Sequence, residues 1–322
     1  MNLQTKIPLA KQSNNLIDYN TNALLIGSCF VENMGSKLSY FKFQNLQNPF
    51  GILFQPKAIE VLISKAIHQK RYLETDVFFH NERWHCFEAH SKLSALTKEK
   101  LLFNLNKQLD LTASYLNHAT HIVITLGTAW VYRFLETNQL VANCHKVPQK
   151  QFGKELLSVE DISESLQAIV NLVRSVNSKA AIIFTVSPVR HLKDGFIENT
   201  QSKSHLITAL HQLLNSKGLI VNHNCFYFPS YEIMMDELRD YRFYAEDMVH
   251  PNQIAINYIW ELFQSVWMSD ETLKLMNQVD VVQKGLQHKP FNPDSDAHKK
   301  FLQKVEAQKM QLQTKFPNIN FT

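Results

Sequence analysis

Glycine is scarce in this chain, with 8 among 322 residues against a usual share of ~7% in globular proteins. The few glycines present are therefore expected at backbone positions that other residues adopt only with strain. Four of them lie in segments discussed below: Gly27, Gly35, Gly51 and Gly127.

Long apolar runs are also absent from the sequence. No stretch approaches the ~18 apolar residues that a membrane span requires. Residues 1–15 are polar and mixed, without the apolar core of ~7–15 residues that is typical of a signal peptide. We therefore expect a soluble, cytoplasmic protein without a membrane span.

Paired cysteines and blocks of like charge are lacking as well. The four cysteines are far apart and form no C-x-x-C pair, which argues against a zinc ribbon or a disulfide framework. The net charge of +4 is distributed along the chain in small clusters, so no nucleic-acid partner is predicted. The composition leaves the oligomeric state open.

Hydrophobic residues make up 45% of the chain, and their spacing alternates between strand and helix patterns. Apolar runs that end in turn-forming residues predict strands at 23–26, 121–126, 180–186 and 219–221. Helical periodicity predicts helices at 30–40, 57–69, 98–117, 158–176 and 199–216. This alternation predicts an α/β fold with a mainly parallel sheet that helices cover on both faces.

Two stretches interrupt the alternation. Residues 76–90 and 130–144 each have the pattern of a β-hairpin, and we expect these hairpins at the rim of the sheet. The predicted polar turns are Asn81-Glu82 and Thr137-Asn138.

The composition changes after Trp267, where the chain becomes charged and rich in glutamine. Two further helices are predicted there, near 270–285 and 295–313. We therefore divide the chain into a catalytic domain over residues 1–267 and a helical appendage over residues 268–322.

Ligands of a parallel sheet bind outside the carboxyl ends of its strands. Gly27, Gly127 and Ser187 each follow a predicted strand, so their turns are expected to line one site. A catalytic site of nucleophilic type at this edge would need a nucleophile and a base.

Asp247 and His250 are the candidates for acid–base chemistry at that edge. Pro251 and a helical apolar pattern follow them, and proline suits the first turn of a helix, so His250 should lie on the preceding loop. An acid three residues before a histidine can fold back to the ring and stabilise the imidazolium formed in general-base catalysis. The alternative is that Asp247 only caps a turn and His250 is a solvated surface histidine.

The turn at Gly27-Ser28-Cys29 is the candidate for the nucleophile. A strand-to-helix turn presents a side chain above the sheet and places helix N–H groups behind it. The alternative is that Ser28 only caps the following helix and that Cys29 is a small buried hydrophobe.

Six blocks of the sequence resemble those of the GSCFA family, a bacterial branch similar to the SGNH/GDSL hydrolases. The resemblance covers about residues 20–267 and implies a three-layer α/β/α, flavodoxin-like fold. It also implies a nucleophile after the first strand, with Asp247 and His250 completing a triad. The blocks are Leu25–Phe30, Asn48–Gly51, Leu126–Tyr132, Asn143–Lys146, Ser187–His191 and Asp247–Asn252.

Setting residues 27–30 against the Gly-Asp-Ser-Leu motif of that superfamily places Ser28 at its aspartate and Cys29 at its nucleophilic serine. Cys29 is therefore the first-choice nucleophile, and Ser28 is the alternative because a shift by one residue reverses the assignment. A cysteine beside a histidine and at a helix N-terminus is expected to have a lowered pKa. It would form a thioester intermediate.

The oxyanion hole departs from the superfamily pattern. The related enzymes use the nucleophile's own N–H, a glycine N–H and an asparagine from a Gly-x-Asn block, whereas the block that begins at Gly127 has Ala129 at its third position. Losing one such donor can cost on the order of 10²–10³ in rate. Gly51 is a candidate for the glycine N–H, and three residues are candidates to replace the lost amide: Asn48, Thr128 and Asn143.

Several polar and aromatic residues are candidates to line a substrate cleft. Arg190 suits an anionic or polar glycan, and Trp130 and Tyr132 suit the face of a sugar. Packing and solvation explain these residues equally well.

The first predicted hairpin contains four potential metal ligands, His80, His85, Cys86 and His90. The two-residue period of a strand puts His80 and His90 on one face and His85 on the other. The sequence therefore predicts neither a metal nor a cofactor.

The leading hypothesis is an esterase or acyltransferase that acts on a small-molecule or glycan acyl ester, with Cys29 or Ser28 as nucleophile, His250 as base and Asp247 orienting it. The alternative is a catalytically silent module that binds a glycan or an acylated ligand. A third possibility is an interaction scaffold that acts through the helical tail.

Overall fold

The computed structural model describes residues 4–215 and 224–321 as a mixed α/β fold. The strands are β1 (Asn22–Gly27), β2 (Gln44–Gln47), β3 (Phe78–His80), β4 (Arg83–His85), β5 (His121–Leu126), β6 (Trp130–Phe134), β7 (Gln139–Val141), β8 (Phe152–Leu156), β9 (Ala181–Val186) and β10 (Cys225–Tyr227). The helices are α1 (Cys29–Tyr40), α2 (Pro56–Ile67), α3 (Lys98–His118), α4 (Val159–Val176), α5 (Phe196–Asn215), α6 (Ser230–Glu232), α7 (Gln253–Trp267), α8 (Asp270–Gln287) and α9 (Asp296–Lys315). A π-helical segment and short 3₁₀ segments lie at Ile233–Glu237, Glu74–Asp76, Ser91–Leu93, Gln149–Gln151 and Tyr241–Phe243.

Five strands form one parallel sheet in the order β2-β1-β5-β9-β10. Numbered by their own order along the chain, these strands follow 2-1-3-4-5, which is the order of flavodoxin-like folds. The direction of winding reverses between β1 and β5, and such sheets bind ligands at that point. The sheet thus places the ends of β1 and β5 side by side, with Gly27 opposite Thr125.

The sheet is covered by helices on both faces. Leu24 and Ile26 of β1 face a core formed with α2, α3, α4 and α5, whereas Ala23 and Leu25 face a core formed with α1, α7, α8 and α9. Because both faces are buried, β5 and β9 consist entirely of buried residues and are mostly apolar along their whole length rather than alternating between apolar and polar residues. The predicted α/β fold with a parallel sheet and helices on both faces is confirmed.

The predicted tail is confirmed as two helices, α8 and α9. Val279 and Val282 of α8 and Val305 of α9 are buried in the same core as α1 and α7. The domain boundary after Trp267 stays a prediction. Among the residues that the structure describes, no helix is long and apolar enough to span a membrane.

Both predicted hairpins are present, as β3 with β4 and β6 with β7. The sequence did not indicate that β8 also pairs with β6, antiparallel, since only one of its five residues is buried and its apolar pattern is weak. The strand predicted at 219–221 lies outside the described residues, and the last strand of the sheet is β10.

Candidate active site

The connection from β1 to α1 is a tight turn that only glycine fits. Gly27 has a φ of +146°, and a Cβ added there would lie 2.1 Å from the carbonyl oxygen of Thr125. The N–H of Ser28 donates to that same oxygen at 3.0 Å. This close approach to β5 ends the strand and lets α1 begin at Cys29.

Ser28 and Cys29 have different environments within this turn. Ser28 is 1% exposed, and its hydroxyl accepts a hydrogen bond of 3.3 Å from the N–H of Phe30, as an N-cap does. Cys29 is a free cysteine and partly exposed. Of the two candidate nucleophiles, Cys29 is therefore the more accessible, while the hydroxyl of Ser28 is engaged by the helix.

The pKa of the Cys29 thiol is raised from its usual value. Burial is the largest cause, and the carboxylate of Glu32 adds to it. The N–H groups of Cys29 and Phe30 and the charge of Lys203 act in the opposite direction but do not outweigh them. The expected lowering of this pKa is wrong, because desolvation of the thiolate is stronger than the helix N-terminus.

Asp247 and His250 form the pair that their spacing predicted. Nδ1 of His250 and Oδ2 of Asp247 are 2.6 Å apart. The other carboxylate oxygen accepts the N–H groups of Val249 and His250, each at 2.9 Å. These hydrogen bonds, chiefly the two from the backbone, lower the pKa of Asp247 to about 2. The carboxylate thus stays charged and occupies Nδ1, which leaves Nε2 of His250 as the nitrogen that can accept a proton.

Arg190 contacts the loop that carries Asp247 and His250. Its guanidinium donates to the carbonyl oxygen of Met248, and its backbone N–H donates to that of Val249 at 3.4 Å. The guanidinium also lies over the ring of Tyr244, 4.6 Å from its centroid. These contacts position the Asp247–His250 loop, and the role of Arg190 as a substrate ligand stays a prediction.

The two halves of the site are joined by electrostatics. Across residues 4–215 and 224–321, no hydrogen bond links Cys29 Sγ or Ser28 Oγ to the ring of His250. Burial, together with the charges of Lys203 and His250, lowers the pKa of His191 to about 3. Lys203 also acts on Cys29, so Lys203 and His191 together link the Cys29 half to the His250 half.

Asn48 is held against the turn by its side chain. Its Oδ1 accepts the N–H of Gly27 at 2.9 Å, and its Nδ2 is buried and has no hydrogen-bond partner. Asn48 also has a positive φ, of 41°, which asparagine tolerates better than most residues. An unpaired amide donor on the side chain that holds the Gly27 turn makes Asn48 a candidate substitute for the missing asparagine.

The other suggested oxyanion donors are engaged elsewhere. The N–H of Gly51 donates to the carbonyl of Asn48 at 2.8 Å, and that of Gly127 donates to Phe54 at 2.6 Å. The hydroxyl of Thr128 lies 2.8 Å from the hydroxyl of Ser202 and also accepts a backbone N–H at 3.1 Å. These groups shape the ends of the strands and leave Asn48 as the candidate with a spare donor.

Asn143 lies with the histidines of the hairpin region. Its Oδ1 accepts the N–H of His145 at 2.8 Å, and the rings of His145 and His85 are 4.7 Å apart. Nδ1 of His85 lies 2.7 Å from Ser94 Oγ, and Nε2 of His145 lies 2.7 Å from the carbonyl oxygen of Cys86. Nδ1 of His145 is buried and has no hydrogen-bond partner among the described residues. Within the described part of the chain, no group of three or more His, Cys, Asp or Glu residues could hold a metal ion.

Lys203 was missed by the sequence reasoning. It is 1% exposed, and its Nζ donates to the carbonyl oxygens of Gly127 and Ser187, each at 2.7 Å. Burial lowers its pKa to about 7. The sequence contains a signal for its burial. Lys203 lies one helical turn before Leu206 and two before Leu210, on the same apolar face of α5.

Two family models match the chain. Residues 22–263 match the GSCFA family, and residues 279–322 match the GSCFA domain protein, C-terminal domain. The second match covers a part of the tail that the resemblance read from the sequence had left out. Among curated proteins, none matches the chain.

Proposed function

The chain belongs to the GSCFA family, and from that premise we propose that it is an esterase or acyltransferase whose nucleophile is the Cys29 thiol. The observation that carries the proposal is the hydrogen bond of 2.6 Å between His250 Nδ1 and Asp247 Oδ2, on a loop that Arg190 ties to the end of β9. The resemblance of the motif blocks to SGNH/GDSL hydrolases supports the same reaction class.

In the proposed first step, His250 Nε2 takes the proton of the Cys29 thiol as the sulfur attacks the carbonyl carbon of the ester. The tetrahedral intermediate then loses the alcohol, which receives the proton from His250, and a thioester remains on Cys29. Water or a second alcohol, deprotonated by His250, releases the acyl group and restores the thiol. A water acceptor gives hydrolysis, and an alcohol acceptor gives acyl transfer.

Asp247 orients the base in this scheme. Its pKa of about 2 keeps the carboxylate charged at neutral pH, where it fixes the Nδ1–H tautomer and stabilises the imidazolium. Because the Cys29 pKa is raised, the thiol is protonated at neutral pH and needs this base.

We assign the oxyanion hole to the Asn48 amide together with the N–H groups at the start of α1. The Nδ2 of Asn48 is an unpaired buried donor, and hydrogen bonds from the N–H groups of Cys29 and Phe30 already lower the Cys29 pKa. These groups together replace the donors of the Gly-x-Asn block, in which Ala129 stands at the asparagine position.

The decisive experiment measures turnover of short-chain p-nitrophenyl esters and of an acyl thioester, with mass spectrometry of the acyl adduct. Cys29→Ala and His250→Ala should lose turnover, and the adduct should map to Cys29. Ser28→Ala should retain turnover and lose about 1 kcal/mol of stability, as expected for removing an N-cap. His68→Ala, a change on the exposed end of α2, is the control. If neither the wild-type protein nor any variant shows ester turnover or an acyl adduct, the proposal is wrong.

The second candidate function is a silent module that binds a glycan or an acylated ligand. The raised pKa of Cys29 and the alanine at position 129 favour it. In that case acylated glycans should raise the melting temperature of the wild-type protein and of Cys29→Ala equally, and no ester should be consumed.

A further inference from the structure

Lys203 is an unusual lysine, since lysine side chains are almost never fully buried without a partner. It is 1% exposed, and the salt bridges formed by the described residues do not include it. The charge of Glu232 reaches Lys203, but both oxygens of that carboxylate accept the hydroxyl of Tyr227, at 2.8 and 2.9 Å. Burial of such a charge costs several kcal/mol in general, so its retention needs a reason.

The location of the Lys203 ammonium gives a reason for retaining this buried charge. Its two acceptors, the carbonyls of Gly127 and Ser187, follow directly after β5 and β9. The nucleophile turn lies against the same edge, because the N–H of Ser28 donates to Thr125 of β5. An ammonium has three N–H donors, and the two carbonyls use two of them.

The electrostatic influence between Lys203 and Cys29 is mutual. The charge of Lys203 lowers the pKa of the Cys29 thiol, and the Cys29 thiolate raises the pKa of Lys203. If Lys203 only hydrogen-bonded the two carbonyl groups, it would not need a positive charge, because a neutral amide also donates two hydrogen bonds.

We propose that Lys203 is a positioning residue whose ammonium stabilises the Cys29 thiolate that forms when His250 takes the thiol proton. The Cys29 thiolate raises the pKa of Lys203, which favours the charged ammonium while the thiolate is present, and the two carbonyl bonds hold the ammonium in place. This role rests on the proposed function, but the thiolate can be measured without ester turnover.

The test measures the rate at which iodoacetamide alkylates Cys29 as a function of pH, with the label located by mass spectrometry. Lys203→Gln keeps two donors for the carbonyls and removes the charge. It should raise the apparent pKa of alkylation by about one unit, which means a roughly tenfold lower rate at neutral pH. Lys203→Arg, which keeps the charge, should remain close to the wild-type profile.

Two further variants separate the effect of the Lys203 charge from the effect of its hydrogen bonds. Lys203→Met removes both the donors and the charge, and it should match Lys203→Gln in its alkylation profile while melting at a lower temperature. Lys65→Gln removes a partly buried lysine whose Nζ lies 2.7 Å from Glu88, and it should leave the profile unchanged.

A wild-type alkylation profile in folded Lys203→Gln would overturn the proposal, as would equal shifts in Lys203→Gln and Lys203→Arg. If Lys203→Met does not fold, the Gln and Arg variants still decide. If the wild-type protein lacks ester turnover yet Lys203→Gln shifts the profile, the proposed function fails and the effect of Lys203 on the thiolate stands.

Discussion

At the scale of single residues, the sulfur of Cys29 is under opposing influences. Burial and Glu32 disfavour the thiolate, whereas the N–H groups at the start of α1 and the charge of Lys203 favour it. Burial is the largest of these influences, and the charges of Glu32 and Lys203 act beside it in opposite directions. Changing one such charge should therefore change the thiol in a predictable direction.

Replacing Glu32 with Gln should lower the Cys29 pKa, because the neutral amide no longer repels the thiolate. Alkylation of Cys29 by iodoacetamide at neutral pH should become roughly twofold to tenfold faster, as a shift of up to about one unit implies. Glu32 also pairs with Lys92 at 2.5 Å on the surface, and such pairs contribute only ~0–1 kcal/mol, so the fold should persist. Glu99→Gln, in the first turn of α3, is the matched control, and an unchanged rate in Glu32→Gln would contradict this prediction.

Asn48→Asp removes the unpaired donor of Asn48 and places a carboxylate at the same position. The aspartate still accepts the N–H of Gly27 and tolerates the positive φ, but it has no N–H to offer an oxyanion. We expect kcat to fall by on the order of 10²–10³ with little change in KM. Asn106→Asp, which removes an amide that donates to Tyr72, is the comparison. Equal turnover in Asn48→Asp and the wild-type protein would exclude Asn48 from the oxyanion hole.

At the scale of elements, the alternation of strands and helices was predicted well because it depends on local periodicity. The helix predicted at 98–117 is observed at Lys98–His118, and the one predicted at 158–176 is observed at Val159–Val176. The start of α5 was less accurate, with Phe196 observed and 199 predicted, because polar residues occupy its buried face near the site. The pairing of β8 with β6 is a tertiary contact that its own residues do not indicate.

His145, which follows β7 and packs against His85 of β4, should make the protein sensitive to acid. Burial lowers the pKa of His145 to about 4 from 6.5, so the unfolded chain binds this proton before the folded one. Stability is therefore intact above pH 6.5 and is lost as the pH falls toward 4, by up to about 3 kcal/mol.

His145→Asn, which suits the positive φ of 48° at this position, should lose less stability on acidification than the wild-type protein. Urea unfolding at pH 8 and at pH 5 measures the difference for each protein, and the value at pH 8 serves as the internal reference. Identical losses in the two proteins would show that His145 is not the source.

At the scale of the whole molecule, the helical tail packs against the sheet domain. Tyr40 of α1 donates to Asp280 at 2.8 Å, and Val279 and Val282 are fully buried while Val305 is 4% exposed. The hydrophobic layer on the α1 and α7 face of the sheet is thus completed by α8 and α9.

Removing residues 269–322 should therefore destabilise the remaining chain by about 5 kcal/mol or more, which is comparable to the whole stability of many domains. Thermal unfolding and ester turnover of the truncated chain test this. A truncated chain with an unchanged melting temperature and activity but an altered oligomeric state would favour the tail as an interaction scaffold.

The sequence by itself determined the α/β class, the glycine turn after β1 and the fold-back of Asp247 onto His250. These features depend on residues that are close in sequence, so periodicity and spacing are enough to predict them. Only the tertiary structure decided that the Cys29 pKa is raised, that Asn48 keeps a spare amide donor, and that Lys203 lies at the edge of the sheet where the Gly27-Ser28-Cys29 turn is located. Burial, hydrogen-bond pairing and charge depend on groups brought together from distant parts of the chain, and no local pattern encodes them.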